Sequence, residues 1–266
     1  MTQTLGLIAG SGQLPLLMAK RAKEKGLLLY TAAIRGSASP ALEKLSHEFQ
    51  WITLGQIGSL TSFFKKNKVH RAVMHGKVQH SDLFKHPRFD LRALVLLAKM
   101  KDRSGETILR TVAEELARHG TRLADGRFLL EDLLAEKGIM VGKVDPRTIP
   151  SYSGFLEKVR SLARMGIGQS LLMKKKAVVA VEAMEGTDEA IRRAGKWAGP
   201  GVILFKAASP QQDFRFDIPT VGPKTIENLV RIKALGVVLE SKRVFLLERE
   251  KTVHLAKKSG LFILGV

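Results

Sequence analysis

The chain of 266 residues is 45% hydrophobic and has no cysteine, which excludes disulfides, thiolate metal sites, iron–sulfur clusters and cysteine nucleophiles and confines any metal to oxygen or imidazole ligands. Its formal charge of +19 points to a polyanionic partner: nucleic acid, an anionic membrane surface or a phosphorylated substrate. With 22 basic against 13 acidic residues in 1–137 and 22 against 12 in 138–266, neither half is a basic tail, and two Trp and two Tyr offer few stacking side chains for single-stranded nucleic acid.

The opening MTQTLGLIAG runs straight into strand-like residues rather than a basic and then apolar secretory signal, and no apolar run is long enough to span a bilayer. A cytoplasmic protein is expected. Leu5–Ala9 reads as a strand, Leu14–Lys25 as a helix started by Pro15, and Leu27–Ile34 as a second strand. Strand Phe49–Leu54, helix Ser59–Asn67, strand Arg71–His75 and helices Leu91–Lys101 and Glu106–His119 follow. This alternation predicts an α/β protein whose N-terminal domain, 1–137, is a Rossmann-like parallel sheet. The stretch 138–150, with Gly138, Gly142 and Pro146, reads as a linker to a C-terminal α/β domain, 151–266. There the pattern gives helix Tyr152–Arg164, an apolar strand Ala177–Ala183, helix Asp188–Trp197, strand Gly201–Ala207 and helix Thr225–Leu235. Strands at 237–239 and 244–247, helix Glu250–Ser259 and a final strand at 261–264 complete it.

Gly10, Ser11, Gly12 and Gln13 lie between the first strand and the first helix, where backbone N–H groups and the helix dipole attract an anion. A dinucleotide fingerprint would place a third small residue at Pro15 and an acid after the second strand, where this chain has Arg35. Arg35 suits an anion instead. A nicotinamide-dependent oxidoreductase and a basic nucleic-acid-binding protein are therefore the rival readings.

The carboxylates concentrate in the second half. Glu182 and Glu185 stand where an apolar strand meets a helix opened by Thr187, Asp188 and Glu189, and a carboxylate at Glu182 calls for a cation, metal or substrate to offset its burial. Thr187 also suits a helix cap. Lys206 ends a strand, and Asp213, Arg215 and Asp217 alternate with Phe214 and Phe216, so that an extended segment would show all three polar groups on one face. A lysine, an arginine and two carboxylates suit phosphates and Mg²⁺, which takes one or two protein carboxylates and fills its octahedron with water and phosphate oxygens. Gly222 opens a further helix able to receive a phosphate.

The segments Leu7–Pro15, Gly166–Gln169, Ala180–Asp188, Arg215–Gly222 and Gly260–Val266, taken in order, resemble those of the LpxI-type UDP-2,3-diacylglucosamine pyrophosphatases of lipid A biosynthesis. The resemblance implies Mg²⁺-dependent hydrolysis of that nucleotide-linked glycolipid to UMP and 2,3-diacylglucosamine 1-phosphate, in a cleft between two domains, with attack favoured at the sugar-side phosphorus. It ties Asp217 most directly to catalysis. The residues themselves add Glu182 or Glu185 as a further metal ligand or base and Lys206 as the cation on the phosphates, with Asp217, Glu182 and Asp213 the candidate metal ligands. Gly10, Ser11, Gly12, Gln13, Arg35, Gln169, Thr187, Asp188, Arg215, Thr220 and Gly222 are the candidate substrate-binding positions. Two departures from the family pattern are Ser209, where a second lysine is expected, and Ser104-Gly105-Glu106, which keeps one of two paired acids. The substrate's acyl chains direct attention to the segment from Asp90 to Lys101, an apolar helix ending in Lys99 and Lys101 with Lys85, His86 and Arg88 upstream. It suggests peripheral contact with an anionic membrane, unless the apolar stripe packs on the first domain's sheet.

Overall fold

The computed structural model describes residues 3–78, 89–100, 102 and 104–266, the side chain of Glu106 excepted. Lys85, His86, Arg88 and Lys101 lie outside that set. The chain divides into two units, residues 1–130 with 213–217 and residues 131–212 with 218–266.

In the first unit, strands β1 (Thr4–Ala9), β2 (Leu28–Ile34), β3 (Glu48–Ile52), β4 (Arg71–His75) and β5 (Arg122–Leu123) form one sheet in the order β3-β2-β1-β4-β5. All its pairings are parallel. The near-continuous apolar runs of β1 and β2 are what a parallel sheet covered on both faces requires, and both are buried from their second residue on. Helices α1 (Gln13–Glu24), α2 (Ile57–Lys66), α3 (Leu91–Lys99) and α4 (Gly105–Arg118) belong to this unit. Phe63 and Phe64 of α2 and Ala113 and Leu116 of α4 share a core with Ile8, Ala32, Ile52 and Ala72. Strand order reverses between β1 and β4, the point at which open α/β sheets form a crevice at their carboxyl ends.

The second unit holds a six-stranded sheet in the order β6-β13-β11-β9-β7-β8, built from β6 (Gly138–Val141), β7 (Ser170–Lys174), β8 (Ala177–Val181), β9 (Ile203–Lys206), β11 (Gly236–Leu239) and β13 (Phe262–Gly265). A separate pair joins β10 (Thr220–Val221) to β12 (Phe245–Leu246). One core packs α6 (Thr187–Ala198), α7 (Pro223–Arg231) and α8 (Arg249–Lys258) against the sheet, and a second gathers Leu156 and Val159 of α5 (Ile149–Arg164) with Leu171, Phe205 and Leu264. Within the six-stranded sheet β9, β11 and β13 pair in parallel, as β10 and β12 do in the separate pair. The edges are antiparallel, since β6 pairs with β13 and a β7–β8 hairpin adds to β9.

Several stretches differ from the sequence reading, two of them at the edges of this sheet. Within 138–150, Gly138–Val141 is a strand whose apolar residues complete the sheet edge, followed by a 3₁₀ turn at Pro146–Thr148 and the start of α5. The Ala177–Ala183 run is not the buried strand its apolar residues suggest, because β8 is an edge strand with Val178 50% exposed. Glu182 therefore stands just past the end of an edge strand.

Candidate functional site

The carboxyl edge of the second sheet carries a buried charge cluster. Lys206 closes β9 and is only 6% exposed. Its Nζ donates to Ser170 Oγ at 3.0 Å and to Thr187 Oγ1 at 2.9 Å, and lies 3.8 Å from Glu182 Oε2. Thr187 Oγ1 in turn donates to Glu182 Oε1 at 2.7 Å. Thr187 is thus the first residue of α6, bridging lysine and carboxylate, and not its cap, the cap position being Gly186 with no side-chain hydrogen bond. The Glu182 backbone can sit here because Gly168 has no side chain: a Cβ at Gly168 would lie 2.1 Å from the Glu182 carbonyl oxygen. Gln169, beside it, accepts from the Ala207 N–H at 3.1 Å through its carbonyl and donates through Nε2 to Gln212 Oε1 at 2.9 Å. Glu240, past the end of β11, receives Ala208 N–H at 2.8 Å and Arg160 Nε at 3.0 Å, so the loop leaving β9 is fixed at its root.

Other expected residues are placed apart from this cluster. Glu185 is exposed and pairs with Arg193, and a backbone hydrogen bond followed by that guanidinium holds its carboxyl below the usual range. Asp188 binds Lys224 at 2.7 Å and accepts from Asn228 at 2.9 Å. Thr220 lies in β10, and Gly222 precedes α7.

The segment 213–217 belongs to the first unit and is a tight turn, not an extended strand. Asp213 Oδ1 accepts the Arg215 N–H at 3.1 Å, and the Asp213 carbonyl accepts from Phe216 and Asp217, so the chain curls and the alternating face that the sequence suggests never forms. Both Asp213 oxygens meet the Arg215 guanidinium, at 2.6 to 3.1 Å. Those hydrogen bonds hold the Asp213 carboxyl below its ordinary range. Asp217, at the end of the turn, is exposed. Phe214 is buried beneath Arg127, whose guanidinium carbon is 3.6 Å from the ring centroid, and Arg127 is itself held by Asp125 at 2.6 and 2.8 Å. Phe216 packs on the sheet core.

At the first glycine motif, Gly10 is required by close passage, since a Cβ there would lie 2.8 Å from the Gly76 backbone. The Gly10 N–H bonds the His75 carbonyl at 2.9 Å and the Ser11 N–H bonds that of Lys77 at 2.8 Å, which commits two of the amides suggested as an anion cradle. Ser11 Oγ also donates to Lys77 O. Gly12 precedes α1 at φ 104, and Gln13 begins it. Arg35 is exposed, 5.9 Å from the Trp51 ring centroid.

Sequence reasoning passed over Ser170, Glu240, Arg127 and His75. Only His75, a titratable residue closing a predicted strand, carried a local signal. It is buried, Nε2 has no hydrogen-bond partner, and burial pushes the imidazole down to about 4, against a smaller opposing effect of Asp125.

For Mg²⁺, no group of three His, Asp or Glu residues converges among the described residues. One or two carboxylates suffice for this ion. Asp213 is taken up by Arg215, whereas Glu182 keeps one buried oxygen, Oε2, without a hydrogen bond; Asp217 is an exposed residue. The donor set is oxygen only, as a hard cation prefers.

These features define a two-unit α/β protein with ionisable side chains gathered at the carboxyl edge of each sheet, where such folds bind ligands. The chain belongs to the LpxI family: the LpxI N-terminal domain matches residues 4–133 and the LpxI C-terminal domain residues 140–264. A relative from Caulobacter vibrioides named UDP-2,3-diacylglucosamine pyrophosphatase LpxI is 29% identical, covering 98% of this chain and 97% of its own. Among solved structures, glycinamide-RNase-transformylase T from Mycobacterium tuberculosis is 14% identical over 68% of this chain, with a TM-score of 0.26. Phosphoribosylglycinamide synthetase from Anaerococcus prevotii is 11% identical over 72%, with a TM-score of 0.28. The chain spans 44% and 43% of those two, and likeness at this level carries no argument.

Proposed function

We propose that the protein hydrolyses the pyrophosphate bond of UDP-2,3-diacylglucosamine to UMP and 2,3-diacylglucosamine 1-phosphate, with Mg²⁺ as cofactor. The observation that carries this reading is Asp217, an exposed acid of the Arg215–Gly222 motif at the end of the 213–217 turn. In the reaction a water oxygen bonds to phosphorus, the bridging P–O bond breaks, and the water gives up its proton.

Asp217 orients that water and accepts the proton, and it is the residue assigned to hold Mg²⁺, with Glu182 as the second candidate. When bound, the ion supplies positive charge at the phosphoryl oxygens and makes water more acidic. Lys206 offsets phosphate charge as a point cation, held in one position by Ser170 and Thr187. Nothing in the glycine turn favours a nicotinamide cofactor over this reading, because Gly10 and Ser11 spend their amides on the protein itself.

The test is release of UMP from UDP-2,3-diacylglucosamine by the purified protein, with and without excess chelator. UMP and the acylated sugar phosphate should appear in equal amounts, and chelation should suppress turnover until Mg²⁺ is restored. Equal turnover in chelator would remove the metal from the account.

A further inference from the structure

Helix α3 buries only Ala93. Leu91, Leu94 and Val95 are 78%, 51% and 45% exposed, and their spacing puts them on one face. Phe89, just before the helix, is exposed too. The stripe is therefore not spent on the sheet, the alternative that the sequence left open. Beside it a groove of about 650 Å³ is lined by Ser59, Ser62, Lys66, Asp90 and Arg92 among others. Its one acid is occupied: Asp90 Oδ1 accepts Ala93 N–H at 2.9 Å and Oδ2 accepts Gly58 N–H at 2.6 Å. Arg92 reaches Glu115 at 3.6 Å and also contacts His119. Lys66 stands on the groove wall and Lys99 ends the helix, both exposed.

We propose that this face docks the protein on an anionic bilayer, with Leu91, Leu94 and Val95 entering the acyl boundary. Lys66, Lys99 and the outer edge of Arg92 meet lipid phosphates, and Ser59 and Ser62 donate hydrogen bonds to them. An apolar stripe rimmed by cations matches a surface whose apolar and anionic layers are a few ångströms apart, and the chain's net charge of +19 adds attraction at longer range. The choice of a lipid surface over a second protein rests in part on the proposed substrate, which is itself a lipid.

The experiment is co-sedimentation of the full chain with phosphatidylcholine vesicles, with and without phosphatidylglycerol, at low and high salt, beside hydrolysis measured in detergent. The wild type should pellet with anionic vesicles at low salt and be released by high salt. Leu91→Glu with Leu94→Glu, and separately Lys66→Glu with Lys99→Glu, should each weaken binding about tenfold at unchanged thermal stability and unchanged kcat in detergent. Three results would each overturn the proposal: no pelleting by a protein that still hydrolyses substrate; a raised KM in detergent for the Leu91/Leu94 variant with vesicle binding intact, which makes the stripe a seat for substrate chains; or a dimer that this variant dissociates. Vesicle binding by a protein without turnover would leave this proposal standing and defeat the substrate assignment.

Discussion

His75 illustrates how a single buried group ties the fold to pH. Its imidazole is 2% exposed with Nε2 unpartnered, and its pKa falls from 6.5 to about 4 because burial penalises the charged form. Between those values the unfolded chain binds a proton that the folded chain refuses, so stability is full above pH 6.5 and declines as pH falls through the window towards 4. The decline amounts to about 3 kcal/mol from this residue alone. Urea titrations from pH 7 to pH 4.5, followed through Trp51 in a Trp197→Phe background, report the unit that contains His75. His75→Gln should lose distinctly less stability over that range than the parent, whereas parallel profiles would show that the imidazole is not refused its proton. Lys206 was legible in the sequence as a cation ending a strand. Its partners were not: Ser170 sits at the start of a strand that the sequence did not announce, and Thr187 reads locally as a cap when its hydroxyl is spent on Glu182 and Lys206.

The parallel strands of the first unit were readable because burial on both faces leaves continuous apolar runs, and the Arg71–His75 strand has the same bounds in sequence and structure. The β7–β8 hairpin was opaque for a definite reason. Its two turn residues, Lys175 and Lys176, sit at φ 47 and φ 69, the mirror-image turn that hairpins favour, but they lack the Asn-Gly signature and read as a charge run. The turn at 213–217 was missed likewise, because Asp213 bends the chain through hydrogen bonds that no periodicity records. That turn is fastened to the first unit by Phe214 beneath Arg127, a contact of the kind that contributes about 0.5–2 kcal/mol. Arg127→Ala should lower kcat/KM about tenfold by loosening the turn that carries Asp217, a loss of about 1.4 kcal/mol. Phe214→Leu should do much the same. In a double-mutant cycle the two effects should be strongly non-additive, because each removes the same contact, and simple additivity would dissociate the clasp from catalysis.

Across the whole molecule, the second unit places Lys206, Glu182 and Glu240 at strand ends, the first places His75 at the end of β4, and the LpxI domains span both units. No helix among the described residues is long and apolar enough to cross a membrane. The charge of +19 is spread along the chain rather than gathered in a basic tail. The central claim is that Asp217 carries the hydrolysis. Its most direct test is Asp217→Ala assayed with UDP-2,3-diacylglucosamine and Mg²⁺, alongside equilibrium binding of the same substrate. The account predicts that UMP release falls by about a thousandfold or more while substrate affinity stays within severalfold of the wild type. Turnover near the wild-type rate, at unchanged affinity, would contradict it.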